Sequence, residues 1–349
     1  MGLIKEIIDN LAKILFYIYM KTKGQNLLKK LMHILMLLST VLLVACEKET
    51  PSNIRLGLDI WSGNSPFFIA RAIGELDSNR VKLVQLRDNL QALEAFKNGY
   101  VDATIVSIDN IVELTASDID FEIILITNIS NGGDAIVAQS EIETLEGLKG
   151  KKVGFQLHPL YNYILARSFE KSSLTKDDIE VVDISFYDSF EEFKQGTVDA
   201  IITSQPYTSN LEVQGANILF SSKDMPNEII DAVVIRRDLS PDDKLAVQYM
   251  VNAWYIGVDY LNKHPDPAYE IMSGMTGDTP RNNREQIRSI IFPSAPQSAA
   301  MMAGQNSELS KNVKNMELKL VELGFFDKPN NGDFVLNNQY LKNISKGGN

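Results

Sequence analysis

LEAFKNGYVDATIVS, from Leu93 to Ser107, returns as FEEFKQGTVDAIITS from Phe190 to Ser204, 97 residues later and identical at nine of fifteen positions. Each copy reads as the end of an amphipathic helix, a glycine stop at Gly99 or Gly196, and a short apolar strand closing on a serine. That is the helix-to-strand half of an α/β unit. The same offset brings RLG at Arg55 onto KVG at Lys152, and VKLVQL near Val81 falls one residue from register with IEVVDI near Ile179. First strand, second strand and helix–strand phrase recur in order, so the expected fold is α/β with two similar lobes.

Around the repeat, strands are expected at 54–60, 81–86, 101–106 and 121–128, with helices at 66–72, capped by Ser65, and at 90–98. Strands at 152–156, 179–184, 198–203 and 218–221 and a helix at 190–195 repeat the order, and a further helix begins after Pro159. Between the lobes, Gly132 and Gly133 break regular structure and the apolar run 135–138 makes a buried strand leaving the first lobe. IIDAVVIRRD from Ile229 is acidic and then apolar in the same way, and is expected to pair with that run as the return crossing. After Pro241 the chain reads as helices, the last at 309–323, and from Phe325 as a polar, loop-like end. The expected division is 54–137 with 232–349 as lobe 1, carrying the C-terminal helices, and 138–231 as lobe 2.

The N-terminal part has another character. Lys29 and Lys30 precede an apolar run from Leu31 to Val44 that ends in LLVAC. The run is short for a membrane span, has basic residues on its N-terminal side, and stops at small Ala45 before Cys46. Cys46 is the single cysteine and stands where a bacterial lipobox places its acylated residue. Residues 1–45 therefore read as a signal peptide and 46–53 as a lipidated tether, with an uncleaved membrane anchor as the alternative. Several acyl chains, at about 0.8 kcal/mol per buried methylene, anchor a protein stably. Residues 1–19 fit neither reading, and Met20 opens a signal of ordinary length.

Residues 1–45 hold six lysines and two acidic residues, so the 34 basic and 45 acidic side chains of the whole chain become 28 and 43, a net charge of −15 for the rest. Such a balance repels phosphate backbones, and nucleic acid is not an expected partner. His158 and His264 are the histidines beyond the signal, without CxxC or HExxH context, so neither metal nor cofactor is expected. No GxSxG, Walker or GxGxxG phrase is present, and no catalytic constellation is expected.

Crevices outside the carboxyl ends of sheet strands are where α/β proteins bind ligands. Here those ends are 61–65, 107–110, 130–134, 157–161 and 204–207. The candidate ligand residues are Trp61, Asn64, Ser65, Ser107, Asp109, Asn131, Gly132, Asp134, His158, Tyr161, Ser204 and Gln205. Trp61 and Tyr161 offer apolar walls, with ordinary packing as the alternative. Asp109 and Asp134 are carboxylates beside apolar strand ends and need a partner, either a ligand donor or a helix cap. His158 touches ligand or caps its helix. His264, in HPDP, reads as a turn. The five loops hold no Lys or Arg, which speaks against a bare inorganic anion and for a solute with an amine or ring donors, an aminosulfonate or a pyrimidine-like heterocycle. Helix amides, as at the helix after 61–65, and hydroxyls hold anions without a basic residue, so an anionic group stays open as the alternative.

Seven phrases in order, WSGNSPFFIARAIG, ALEAFKNGYVDAT, SNGGDAIVA, LEGLKGKKVGF, VDAIITSQP, DAVVIRRDL and HPDPAYEIM, resemble the periplasmic solute-binding proteins of ABC importers of the nitrate, sulfonate, taurine and bicarbonate type, a family that includes binders of thiamine pyrimidine precursors. The resemblance spans roughly 53–343. It implies a two-lobed periplasmic-binding-protein fold with a small solute in the interlobe cleft. The implied partner is a membrane permease, and the implied protein a monomer held at the periplasmic or outer cell surface through Cys46. The departures fall at the cleft: TSQP at Thr203 where many members carry an acidic-Pro pair, and QLHPLYN at Gln156 in place of a smaller loop. A sensor signalling to a membrane receptor is the first alternative. An enzyme of the thiamine-pyrimidine synthase type is the second, and those rely on a cysteine-rich motif.

Overall fold

In a computed structural model of the chain, each copy of the repeated phrase builds the middle of its own sheet. The chain divides into two units, Met1–Thr50 and Pro51–Asn349. Residue 13 and residues 54–304, 306–330, 334–342 and 344 are described. The expected signal peptide, Cys46 and tether lie outside the described residues.

The first copy runs β1 (Ile54–Leu58), α1 (Ser65–Ala72), β2 (Val81–Gln85), α2 (Asn89–Lys97), β3 (Ala103–Ser107), α3 (Ile108–Thr115) and β4 (Phe121–Ser130). After β5 (Asp134–Ala138) the order recurs as β6 (Lys152–Phe155), α4 (Pro159–Phe169), β7 (Glu180–Asp183), α5 (Phe186–Lys194), β8 (Ala200–Ser204), α6 (Tyr207–Val213) and β9 (Asn217–Ser221). In both copies the first strand lies parallel between the second and third, the arrangement that right-handed helical crossovers produce. α3 begins directly after β3, and α6 two residues after β8, where the sequence reads as loop.

Identical residues of the two copies do identical work. Gly99 and Gly196 end α2 and α5 with φ of 71° and 73°, a left-handed turn that a Cβ disfavours. The Asp102 carboxylate accepts the backbone N–H of Arg55 at 2.9 Å, and Asp199 accepts that of Lys152 at 2.8 Å, clamping the third strand to the first. Val101 and Val198 pack on Gly57 and Gly154, where an added Cβ would come within 3.1 Å of each valine. The repeat is a packing and hydrogen-bonding device.

Neither sheet is complete from its own copy. β5 lies antiparallel between β8 and β9, giving the order β7-β6-β8-β5-β9. β10 (Ile230–Arg236) lies antiparallel between β3 and β4, and with β11 (Ile290–Ile291) at the edge the order is β11-β4-β10-β3-β1-β2. The two crossing strands therefore do not pair with each other, contrary to expectation. Each is buried by its own sheet, which satisfies its backbone on both sides. Their apolar residues belong to two clusters, the larger of which runs through both lobes.

The C-terminal part is helical as expected: α7 (Pro241–Lys263), α8 (Pro265–Thr276), α9 (Pro280–Arg288), α10 (Ala295–Met301) and α11 (Glu308–Glu322), with the two-residue strand β11 (Ile290–Ile291) on β4. α7 opens on a capping box in which Ser240 and Asp243 satisfy one another's backbone. α11 packs against both α3 and α4, and Lys319 on it pairs with Glu170 at 3.0 Å. The end is not loop alone, since β12 (Val335–Leu336) pairs with β4 and α12 (Gln339–Lys342) buries Tyr340 and Leu341. Among the described residues no helix is long and apolar enough to cross a membrane.

α7 crosses α1 at Gly257, beside the buried Phe67–Trp254 pair with ring centroids 4.9 Å apart. A Cβ on Gly257 would run into the Pro66 carbonyl, which is backbone and cannot move aside alone. Gly257→Ala is expected to cost about 1–3 kcal/mol as overpacking, read as a lowered denaturation midpoint. An unchanged midpoint would refute the close approach of α1 and α7.

Candidate functional site

The chain passes between sheets twice, from β4 to β5 and from β9 to β10, and each incoming strand carries an aspartate opposite the last residue of a repeat strand. Asp134 pairs with Ser204, and Asp231 pairs with Ser107. The offset of 97 relates Asp134 to Asp231 as it relates Ser107 to Ser204. Sequence reading singled out Asp134 and missed Asp231, although the repeat offset applied to Asp134 lands on it. Asp59, directly after β1, was missed as well.

Four carboxylates thus gather where the strand ends of the two lobes meet. Ser130 Oγ donates to Asp134 at 2.6 Å, and lies 2.8 Å from Ser222 Oγ, which accepts the Gly132 N–H at 2.6 Å. Asn128 Nδ2 donates to Asp231 at 3.1 Å, and Asn64 Nδ2 donates to Asp59 at 2.6 Å. Ser107 Oγ donates to Asp109 Oδ1 at 2.6 Å in the first turn of α3, while Oδ2 of that buried carboxylate accepts no hydrogen bond. From the other lobe, His158 Nδ1 stands 3.5 Å from Asp109 Oδ2.

Burial dominates the electrostatics. It lifts the Asp59 carboxyl to about 6 against the pull of its own backbone bonds and of Asn64, with the charge of Asp88 adding a little. Burial lifts Asp134 to about 6, Ser130 opposing and the charge of Asp109 assisting. It carries Asp231 to about 7 against the Asn128 bond, with Asp134, Asp59 and Asp109 all contributing. Tyr161 is buried with its hydroxyl 3.4 Å from Ser204 Oγ, and burial followed by the Asp134 charge pushes its phenol up. Each donor to these acids is neutral, so the cluster keeps an excess of negative charge.

The remaining candidates divide between those that meet the cluster and those held elsewhere. His158 N-caps α4, its Nδ1 accepting the Leu160 N–H at 3.4 Å, and its ring meets Tyr161 edge-on at 6.3 Å. The expected Ser65 cap does not form. α1 starts at Ser65 with Asn64 as its N-cap residue, the Asn64 amide is turned to Asp59, and the Ser65 hydroxyl is buried without a partner. Trp61 folds over Gly63, leaving no room for a side chain there, and is half-buried. Asn131 ties its backbone N–H to the Ser289 carbonyl at 2.8 Å. Gly132 turns with φ of 97° beneath the Lys223 side chain. Gln205, ahead of a cis peptide to Pro206, directs its amide along α6 to Ser209 at 2.7 Å. His264 lies between α7 and α8 with its ring 4.9 Å from Tyr260. Among the described residues no three His, Cys, Asp or Glu side chains are arranged to hold a metal ion.

A family model described as NMT1/THI5 like matches residues 76–268. A putative aliphatic sulfonates-binding protein of Escherichia coli (strain K12) is 25% identical over 185 residues, 51% of this chain and 57% of the relative, so the match spans less than two thirds of that protein. The crystal structure of the periplasmic aliphatic sulphonate binding protein SsuA from Escherichia coli superposes with a TM-score of 0.68 at 18% identity, covering 80% of this chain and 90% of its own. The ligand binding component of an ABC-type import system from Staphylococcus aureus gives 0.67 at 12%, covering 84% and 99%. The desulfurization enzyme DSZB gives 0.60 at 14%, covering 84% and 98%. At these identities the structural likeness is one of fold: the two-lobed α/β architecture is shared by binding proteins and by an enzyme.

The raised carboxyls make apo stability depend on pH. A carboxyl that binds its proton more tightly folded than unfolded stabilises the fold as pH falls through its folded value, and the gain is complete near the unfolded value of about 4. Above about pH 7 most of it is gone. Between pH 8 and pH 5, a carboxyl at about 6 contributes roughly 1.4 kcal/mol. Asp134→Asn is expected to remove that much of the rise in stability on acidification, read from denaturant midpoints at the two pH values. A variant with the wild-type slope would show that Asp134 is not raised.

Proposed function

The chain belongs to the NMT1/THI5-like family, and from that premise we propose that it is the extracytoplasmic solute-binding subunit of an ABC importer, a binding protein and not an enzyme. It captures a small organic solute, an aminosulfonate or a pyrimidine-like heterocycle, between its lobes and presents it to a membrane permease. The observation that carries this reading is the carboxylate cluster at the crossing strands, to which both lobes contribute. Asp109 of one lobe faces His158 of the other at 3.5 Å. A site assembled from both lobes favours the closed arrangement when filled, because a solute bridging them binds that state best. The lobes are proposed to divide where the chain changes sheets, near residues 131–133 and 222–229.

A solute at 100 times its dissociation constant should stabilise the protein by about 2.7 kcal/mol and reduce its radius of gyration in solution scattering. Unchanged melting and scattering across aminosulfonates and aminopyrimidines at millimolar concentration would count against the reading.

Anchoring through Cys46 is part of the proposal and rests on the LLVAC phrase alone. Cys46→Ser should abolish acylation and either block signal cleavage or release the protein from membranes, as fractionation and intact mass would record. A serine variant still cleaved at the same bond and still membrane-bound would exclude it.

A further inference from the structure

We infer that the solute enters this cleft by a cationic nitrogen, an ammonium or protonated amine, held between the paired carboxylates of Asp134 and Asp231. The inference rests on the solute-binding reading above and adds the charge of the solute to it. Three observations on the site carry it.

The first is placement. Asp134 and Asp231 hold equivalent ladder positions opposite Ser204 and Ser107, so one carboxylate comes from each sheet at the strand ends that face the cleft. Asp109 and Asp59 join them, and their charges reach Asp231 together with that of Asp134.

The second is the balance of donors and acceptors. Asp109, Asp134 and Asp231 each take one neutral side-chain donor, from Ser107, Ser130 and Asn128. Asp109 is 2% exposed, yet its Oδ2 accepts nothing. Asn64 is 3% exposed, and its amide, whose Nδ2 end holds Asp59, leaves Oδ1 buried without a donor. The unfilled oxygens of Asp109 and Asn64 are acceptors only, and a ligand completes them with N–H groups, while the unpartnered Ser65 hydroxyl beside them can donate or accept.

The third is the absence of neutralising charge. Among the described residues no Lys or Arg pairs with any of the four aspartates. Lys223, the basic side chain over Gly132 at the same crossing, forms no ion pair with these aspartates. His158 reaches Asp109, but its Nδ1 already accepts the Leu160 N–H, and a nitrogen that accepts does not also donate. A sulfonate or nitrate here would meet acceptors and negative charge, whereas an ammonium offers three donors and one positive charge. A metal ion is not the counter-charge, since the four carboxylates do not form a coordinating group.

The test uses probes matched in shape and opposite in charge on the full chain in detergent: 5-(aminomethyl)pyrimidine against pyrimidine-5-sulfonate, and propylamine against propane-1-sulfonate, at pH 7.5 by calorimetry. The amine of at least one pair is expected to bind about tenfold or more tightly than its sulfonate. Asp134→Asn and Asp231→Asn should each weaken that amine about ten- to a hundredfold. Their apo melting temperatures at pH 7.5 should not fall, because each removes a buried charge without a counter-ion; lost affinity with a lowered melting temperature would mark a merely structural aspartate. Sulfonates that bind as tightly as or more tightly than their amines in both pairs would overturn the inference while leaving the solute-binding reading intact. No binding by either amine or either sulfonate would overturn both. Should a variant fail to fold, the wild-type comparison of matched probes decides alone.

Discussion

Each sheet is completed by a strand that the chain brings from the other lobe. Without β10, β3 and β4 have no common neighbour, and without β5 the same holds for β8 and β9. The apolar residues of DAIVA and DAVVI are buried, so pulling either strand out would expose backbone that only its new ladder satisfies. The lobes are therefore interlocked rather than merely tethered. The hinge proposed above falls in the short segments that precede the crossing strands, where Gly132 takes a positive φ and Ser222 ties the turn back to Ser130. The same ladders hold Asp134 and Asp231 in register at the mouth, so the pair is set by backbone pairing and not by loop conformation.

Placing carboxylates there has a cost that decides which ligands can fit. Unit charges a few ångströms apart interact more strongly inside a protein than in water. That is repulsion in the apo cluster and for an incoming anion, and attraction for an incoming cation. The lifted carboxyls of Asp59, Asp134 and Asp231 express this cost in protons: as pH falls below neutral they take up protons that a cation would displace. Binding and proton release are then linked, and stability given up to hold buried charge is returned when the counter-charge arrives.

The architecture was legible because the repeat preserves packing residues. Gly57 with Val101 and Gly154 with Val198 are the same close contact made twice, and Asp102 and Asp199 the same backbone clamp, so the phrase identified the unit that it builds. What did not read from sequence is long-range. DAIVA and DAVVI look alike because each fills the same place in a different sheet, and similarity alone cannot tell that from pairing with each other. Asp231 carries no such signal in sequence, since it follows Ile230 in an apolar strand without the glycines that precede Asp134. The start of α3 reads as loop because a serine closing a strand serves equally as the residue before a helix: Ser107 is the N-cap residue of α3, whereas α6 starts after Pro206.

The two copies agree in their framework and differ where they face each other. At the 97-residue offset Trp61 stands against His158, Asn64 against Tyr161, Asp59 against Gln156 and Asp109 against Pro206, while Ser107 and Ser204 are the same, as are Asp134 and Asp231. The shared residues form a symmetric pair of polar groups along the crossing strands. The unshared ones place the further carboxylates, Asp59 and Asp109, on one lobe and the buried phenol of Tyr161 with the His158 ring on the other. A symmetric cleft would read two ends of a solute alike. In the proposed binding role, the added acids on one wall and the rings on the other would distinguish a charged end of a solute from a planar one, so orientation would follow from the divergence of the repeat.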